Sequence, residues 1–304
     1  MNPPSTERPL PSATLGTLGT PGFARRIRSR RFRRDIFSLI LLTLGALVIL
    51  IPFFWMVSTS LKTAGDVYLY PPKWIPNPMQ FVNYRTVVDL VPLGRFALNS
   101  AFIVTMVMIG TLLSCSFSAY GFARLRAPGR DVIFLLILAT MMLPSAVTLV
   151  PTYIAFNQLG WINSFKPLIV PAFFGSPFFL FLLRQFYMSI PRELEESARI
   201  DGASSYRIWW DLMLPLTKPA LATVAVFTFF GTYNDFFGPL IYLSDESKQT
   251  VAVALSYFSG SPTAGPQMHL LMAMTLLATI PSLLVFLFAQ RYFVQSIVTT
   301  GLKG

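Results

Sequence analysis

The chain has 304 residues, of which 54% are hydrophobic, 14% aromatic and only 12% charged, and its net charge is +11. Soluble domains carry about 25% charged residues, so this composition excludes an ordinary soluble protein and points to lipid. A single His and a single Cys exclude a dedicated metal site and a disulfide framework.

Residues 1–35 form a basic tail, rich in Pro, Ser, Thr and Gly up to Gly22, and are expected to be disordered. Ser29, Arg30, Arg31 and Phe32 echo a twin-arginine export signal. The apolar run that follows is 23 residues long and lacks a small-x-small cleavage site, which favours a retained first span. Six windows reach the roughly 20 residues that cross a bilayer: 36–58, 97–120, 132–153, 167–186, 216–237 and 270–290. Asp235, near the end of the fifth, is the only acidic residue in them, and Arg184 lies in the fourth. The expected fold is an all-α polytopic membrane protein with six transmembrane helices, the last five forming a core over residues 95–290.

Between the first two spans, residues 59–94 read as an external loop. Pro71, Pro72, Pro76 and Pro78 favour a stiff extended chain there. Loops 121–131, 154–166, 187–215 and 238–269 follow, then a cytoplasmic tail at 291–304. Pro144, Pro171 and Pro177 interrupt the third and fourth spans; such breaks are tolerated where neighbours satisfy the freed backbone groups, often beside a pathway. Giving the N-terminal tail and alternate loops to one side places 18 of the 24 Lys and Arg residues there, against 6 opposite. That is the positive-inside pattern, and it puts both termini in the cytoplasm. The basic excess therefore sets topology, and nucleic acid is not an expected partner.

Segment 187–215 is the most informative. Pro191 suits a first helical turn, and Glu193, Glu195 and Glu196 suit the positive end of the helix dipole. Leu194, Ala198 and Gly202 share a face at i, i+4, i+8 that narrows to bare backbone, open to close approach by another protein. Gly202 can end one helix and turn into the next. Tyr206, Trp209, Trp210 and Met213 then form an apolar stripe, and Pro215 opens the fifth span. The plain alternative is an amphipathic helix lying on headgroups; five carboxylates against three basic residues suit an anionic leaflet poorly.

The spacing from Glu196 through Ala198 and Gly202 to Leu214 and Pro215 resembles the coupling loop of ATP-binding-cassette (ABC) importer permeases. More broadly the chain is similar to the sugar-importer branch of binding-protein-dependent permeases, in particular the smaller maltose-type subunit. The resemblance includes Pro72, Trp74 and Pro76, Asn83 and Tyr84, Asn99 and Ser100, Tyr120 to Arg124, Asn234 to Phe236 with Pro239, and the ending from Thr299 to Gly304. Ser197 stands for the usual middle alanine, and Tyr233 for the usual tryptophan before the Asn-acid pair. The resemblance implies a type I importer permease fold in a bacterial or archaeal plasma membrane, with no catalytic residues. It implies Glu195, Glu196, Ala198, Asp201, Gly202 and Ala203 as coupling residues that meet an ABC ATPase dimer. ATP and Mg would be bound by that partner, since no phosphate-binding loop is present here. A second permease and an extracellular solute-binding protein complete the implied complex, which would import a sugar or oligosaccharide. Asn99, Tyr233, Asn234 and Asp235 are candidates for the solute path, and His269 reads as interfacial. The alternatives are an ion-coupled carrier, which needs coordinating groups near the midplane, and a non-transporting scaffold.

Overall fold

The computed structural model describes the backbone of residues 21–260 and 267–301, and side chains within 35–260 and 267–290. Residues 1–20 and 302–304, which carry part of the expected tails, lie outside the described residues. The chain divides into two units, residues 1–55 and 56–304. In the first, helix α1 (Pro21–Ser60) begins well before the apolar run, so the backbone of 21–35 is helical where an unstructured tail was expected. Its apolar window, from Asp35 on, is unburied.

In the second unit the loop after α1 is not merely extended. It contains α2 (Val82–Leu90), a helix missed because Val and Thr favour it poorly. What holds it is burial of Val87 and the Asn83 amide, which donates to the carbonyls of Ser60 (2.8 Å) and Lys62 (2.9 Å). Then comes α3 (Leu93–Arg124), 32 residues without a proline. Helices α4 (Arg130–Ala139) and α5 (Ser145–Gln158) replace the single third span: they meet at 102° beside Pro144, whose preceding residue is driven out of helical geometry. Leu143 there has ψ 117°.

The fourth span, Lys166–Ser189, starts with α6 (Lys166–Ile169) and a 3-10 stretch, turns at Gly175 and continues as α7 (Pro177–Ser189). Next come the hairpin helices α8 (Glu193–Ile200), α9 (Ser205–Arg207) and α10 (Leu214–Leu216), then α11 (Lys218–Tyr233). The run Ser205–Leu216 meets α11 at 79°. Short α12 (Phe237–Tyr242) and α13 (Val251–Ala254) precede α14 (Met268–Gly301). Four helices are thus long and apolar enough to cross a membrane, and six spans result only if each bent pair counts as one. No strand occurs among the described residues.

Two buried clusters mark opposite ends of the second unit. At one, Val87, Val91 and Phe96 pack with Val251, Phe258, Leu270 and Met274. At the other, Ala119, Tyr120, Leu183 and Tyr187 pack with Ile208, Trp209 and Met213 beneath the hairpin. Loops 154–166 and 238–269 meet at the first end: Lys248 donates to the Asn163 carbonyl at 2.8 Å, and the Asp245 amide to the Asn163 side chain at 3.0 Å.

Candidate functional site: the charged hairpin and the polar groove

Helix α8 ends in a Schellman arrangement, in which a left-handed residue lets two amides reach back to the last turn. Gly202, at φ +80°, is that residue. Its amide bonds to Arg199 O (3.0 Å) and that of Ala203 to Ala198 O (2.9 Å). Gly202 therefore lies past the helix end, so the face expected to run through Leu194, Ala198 and Gly202 at helical spacing stops at Ala198. A Cβ at Gly202 would meet nothing within 4 Å in this chain. The glycine is required here by backbone geometry alone.

Glu195 departs most from expectation. It is 6% exposed, whereas Glu196, Asp201 and Gly202 are exposed and Ala198 and Ala203 half-buried. One carboxylate oxygen of Glu195 accepts from Arg199 (2.9 Å) and from the Tyr120 hydroxyl (3.2 Å); the other lies 3.6 Å from Arg124 Nε. Burying a carboxylate is tolerable only with such partners. Tyr120 and Arg124 sit at i, i+4 at the end of α3 and reach the same acid. Arg124 also donates to the carbonyls of Tyr187 (2.6 Å) and Ile190, at the end of α7 where a cation is favoured. The hydrogen bond to Glu195 holds the Arg199 guanidinium above its ordinary pKa. Glu195 thus ties α8 to α3 and α7.

The outward surface of α8 instead carries Leu194, 44% exposed, and Ile200, 86% exposed. Ile200 was missed, though an apolar residue inside a charged helix just before its glycine stop was a usable signal. The stripe expected from Tyr206 to Met213 splits. Residues Ile208–Met213 adopt a π-helix, whose i→i+5 bonding changes the register. Trp209 and Met213 are buried, while Tyr206 and Trp210 are exposed. Arg124, Arg126, Arg192 and Arg199 border a pocket of about 320 Å³ beside Glu195 and Glu196.

At the far end, the four residues expected on a solute path do not converge. Asn99 donates both amide protons to loop carbonyls, Ser247 at 3.0 Å and Gln249 at 2.9 Å, and is a clamp. Asp235 accepts from the Gly238 amide (3.1 Å) and faces a small cavity of about 120 Å³ with Ser100, Thr232 and Thr250. Tyr233 and Asn234 line a separate groove of about 500 Å³ between α11, α13 and α14, together with Ser256, Thr275, Thr279 and Ser282. Asp245, outside the spans, is held below its ordinary pKa by hydrogen bonds to Ser247. Among the described residues no group of three or more His, Cys, Asp or Glu could hold a metal ion.

Several apolar helices long enough to cross a membrane, a polar groove at one end and a charged hairpin fastened at the other describe a membrane permease. Residues 107–299 match the family described as binding-protein-dependent transport system inner membrane component, and the chain belongs to it. It is 30% identical over 275 residues to the diacetylchitobiose uptake system permease protein NgcG of Streptomyces coelicolor, covering 90% of this chain and 91% of that one. It is 34% identical over 270 residues to the sn-glycerol-3-phosphate transport system permease protein UgpE of Yersinia pestis, covering 87% and 96%. A solved chain from a bacterial ABC transporter that imports the acidic polysaccharide alginate superposes with a TM-score of 0.76 at 25% identity, covering 88% of this chain and 98% of that one. The protein is accordingly a permease of a solute-binding-protein-dependent importer.

Proposed function

We propose that the α8 hairpin is the element through which a separate ABC ATPase drives this permease, and that the imported solute is a sugar or oligosaccharide. The observation that carries the reading is the contrast within one short helix. Its inner side is fixed to α3 and α7 through Glu195, while its outer side leaves Leu194 and Ile200 uncovered beside the exposed Glu196 and Gly202. Burying an aliphatic side chain of that size in a partner's cleft is worth about 1.5–3 kcal/mol. A helix meant to stay in water would have no use for it.

In this scheme Glu196, Ala198, Asp201, Gly202 and Ala203 form or border the docking surface, and Glu195 positions it. The second permease, the ATPase dimer with its ATP and Mg, and the solute-binding protein complete the machine, and this chain contributes no ATP site. The α4–α5 pair counts as one span and residues 216–237 as another, giving six, with the hairpin end and both termini in the cytoplasm. ATP-driven closure of the ATPase dimer moves the hairpin, and the spans reopen on the opposite side. Sugars named among its relatives, and the groove's hydroxyl lining, support the solute class.

The test is Gly202→Val, with Glu196→Lys beside it. Valine at φ +80° is strained but unobstructed within the chain, so the bundle should insert normally. Solute uptake is expected to fall at least about tenfold, matching a local cost near 1–2 kcal/mol, with reduced co-purification of the ATPase. Normal uptake with normal ATPase recovery would remove the hairpin from the mechanism.

A further inference from the structure

Five of the six hydroxyl groups in the groove share one hydrogen-bonding state, Ser282 being the sixth, and the Asn234 amide gives one proton to Phe230 O (2.9 Å) and keeps another. On α14, Thr275 donates its proton to Leu271 O (2.8 Å) and Thr279 to Thr275 O (2.7 Å). Ser256 donates to Val253 O and Ser259 to Ser256 O, each at 2.7 Å. Tyr233 donates to Ala278 O at 2.8 Å. A hydroxyl has one proton to give and two lone pairs with which to accept, so these five groups offer the groove acceptors only. The groove has no Lys, Arg, His, Asp or Glu in its lining.

We propose that this groove takes the hydroxyl groups of the solute as hydrogen-bond donors, and so selects a neutral polyhydroxyl compound over a carboxylated or phosphorylated one. The step rests on the solute-path reading above and narrows it. An ionised carboxylate or phosphate only accepts; here it would give up its water for a lining in which five hydroxyls offer lone pairs, one Asn234 N–H and the Ser282 hydroxyl are the side-chain donors and no cation stands by, which is costly. A sugar hydroxyl donates readily to the same wall. Tyr233 also stacks on Phe229, with ring centroids 5.4 Å apart and planes 7° from parallel, and gives the groove a braced aromatic edge against which the C–H face of a pyranose can rest. Family membership leaves the charge of the solute open, since relatives are named for an acetylated disaccharide, a glycerol phosphate and an acidic polysaccharide.

The test uses the complete complex with its second permease, ATPase and solute-binding protein in proteoliposomes. Uptake is followed for cellobiose, maltose and diacetylchitobiose, and for sn-glycerol-3-phosphate and an alginate trisaccharide. A neutral sugar is expected to enter and neither anion to do so. The double variant Thr275→Val, Thr279→Val keeps the side-chain shape and removes two acceptors; it should lower uptake of that sugar about tenfold while all subunits still co-purify. Entry of either anion, or wild-type uptake by the double variant, would overturn the proposal. So would loss of the second permease from the double variant, which would make the groove a subunit contact. Sugar uptake that needs no ATP yet still falls tenfold in the double variant would sink the importer reading and leave the groove's role standing.

Discussion

Replacing Glu195 by alanine should loosen the hairpin without unfolding the bundle. The Arg124 side chain is 4% exposed and that of Glu195 8%, and removing one partner of a buried ion pair costs about 3–5 kcal/mol. Arg124 keeps its bonds to the carbonyls of Tyr187 and Ile190, which argues for the lower end, near 3 kcal/mol. Arg199 adds little, because its side chain is 50% exposed and exposed pairs are worth about 0–1 kcal/mol. Local opening should then rise roughly a hundredfold, confined to α8 and its flanks. Trypsin cleavage at Arg192 and Arg199 in inverted membrane vesicles reads that opening directly. Tyr120→Phe removes one hydrogen bond to a charge, worth about 1.5–3 kcal/mol, and should give an intermediate rate. Wild-type protection of Glu195→Ala would refute the anchoring role. If protection were normal but the ATPase no longer co-purified, Glu195 would be a docking contact after all.

Two further outcomes are expected. Cysteines placed at Lys73 and Arg207, in a Cys115→Ser background, should label from opposite sides of the membrane; labelling of both from one side would break the six-span topology. Gly110→Ala should destabilise the contact between α3 and the segment before α7, because its Cβ would lie 2.7 Å from the Phe173 ring. Overpacking of this kind costs about 1–3 kcal/mol, visible as a lowered melting temperature in detergent, and Phe173→Ala in the same chain should restore it.

The apolar runs made the spans legible, and the prolines marked where one of them breaks, but not the size of the bend. Pro144 was visible; the 102° between α4 and α5 depends on packing that no single segment encodes. Helix α2 was hidden because its own residues favour extended chain and tertiary burial overrides them. Gly202 was legible as a helix stop, since few residues other than glycine serve at that position. Glu195 was not, because an acid in a first helical turn already has a local explanation in the helix dipole. Its actual partner Tyr120 lies 75 residues away, and only the fold brings the two together. Asn99 and Asp235 bond to loop backbone in the fold, and the sequence alone could not show this, because polar residues at span ends serve loop hydrogen bonds as readily as a solute.

Helix α3 links the hairpin to the wall of the groove. Its 32 residues, at 1.5 Å each, make a rod of about 48 Å with no proline to bend it. Near its start, Asn99 holds the carbonyls of Ser247 and Gln249, and Ser100 accepts from the amide of Val251, the first residue of α13 and part of the groove wall. At its end, Tyr120 and Arg124 hold Glu195. A displacement of α8 in the proposed cycle is therefore resisted at Glu195, carried along a continuous helix and delivered to the segment that lines the groove. The bends at Pro144 and Thr217 lie outside α3, where neighbouring spans can change angle around it. Coupling between distant sites needs an element that both sites bias, and α3 touches both through side chains that can be removed one at a time. Asn99→Ala offers the sharpest check. It cuts the link at the groove end and leaves the hairpin intact, so ATPase recovery should stay normal while solute uptake falls. Equal loss of both would mean that Asn99 merely holds the fold together, and unchanged uptake would mean that force reaches the groove by another route.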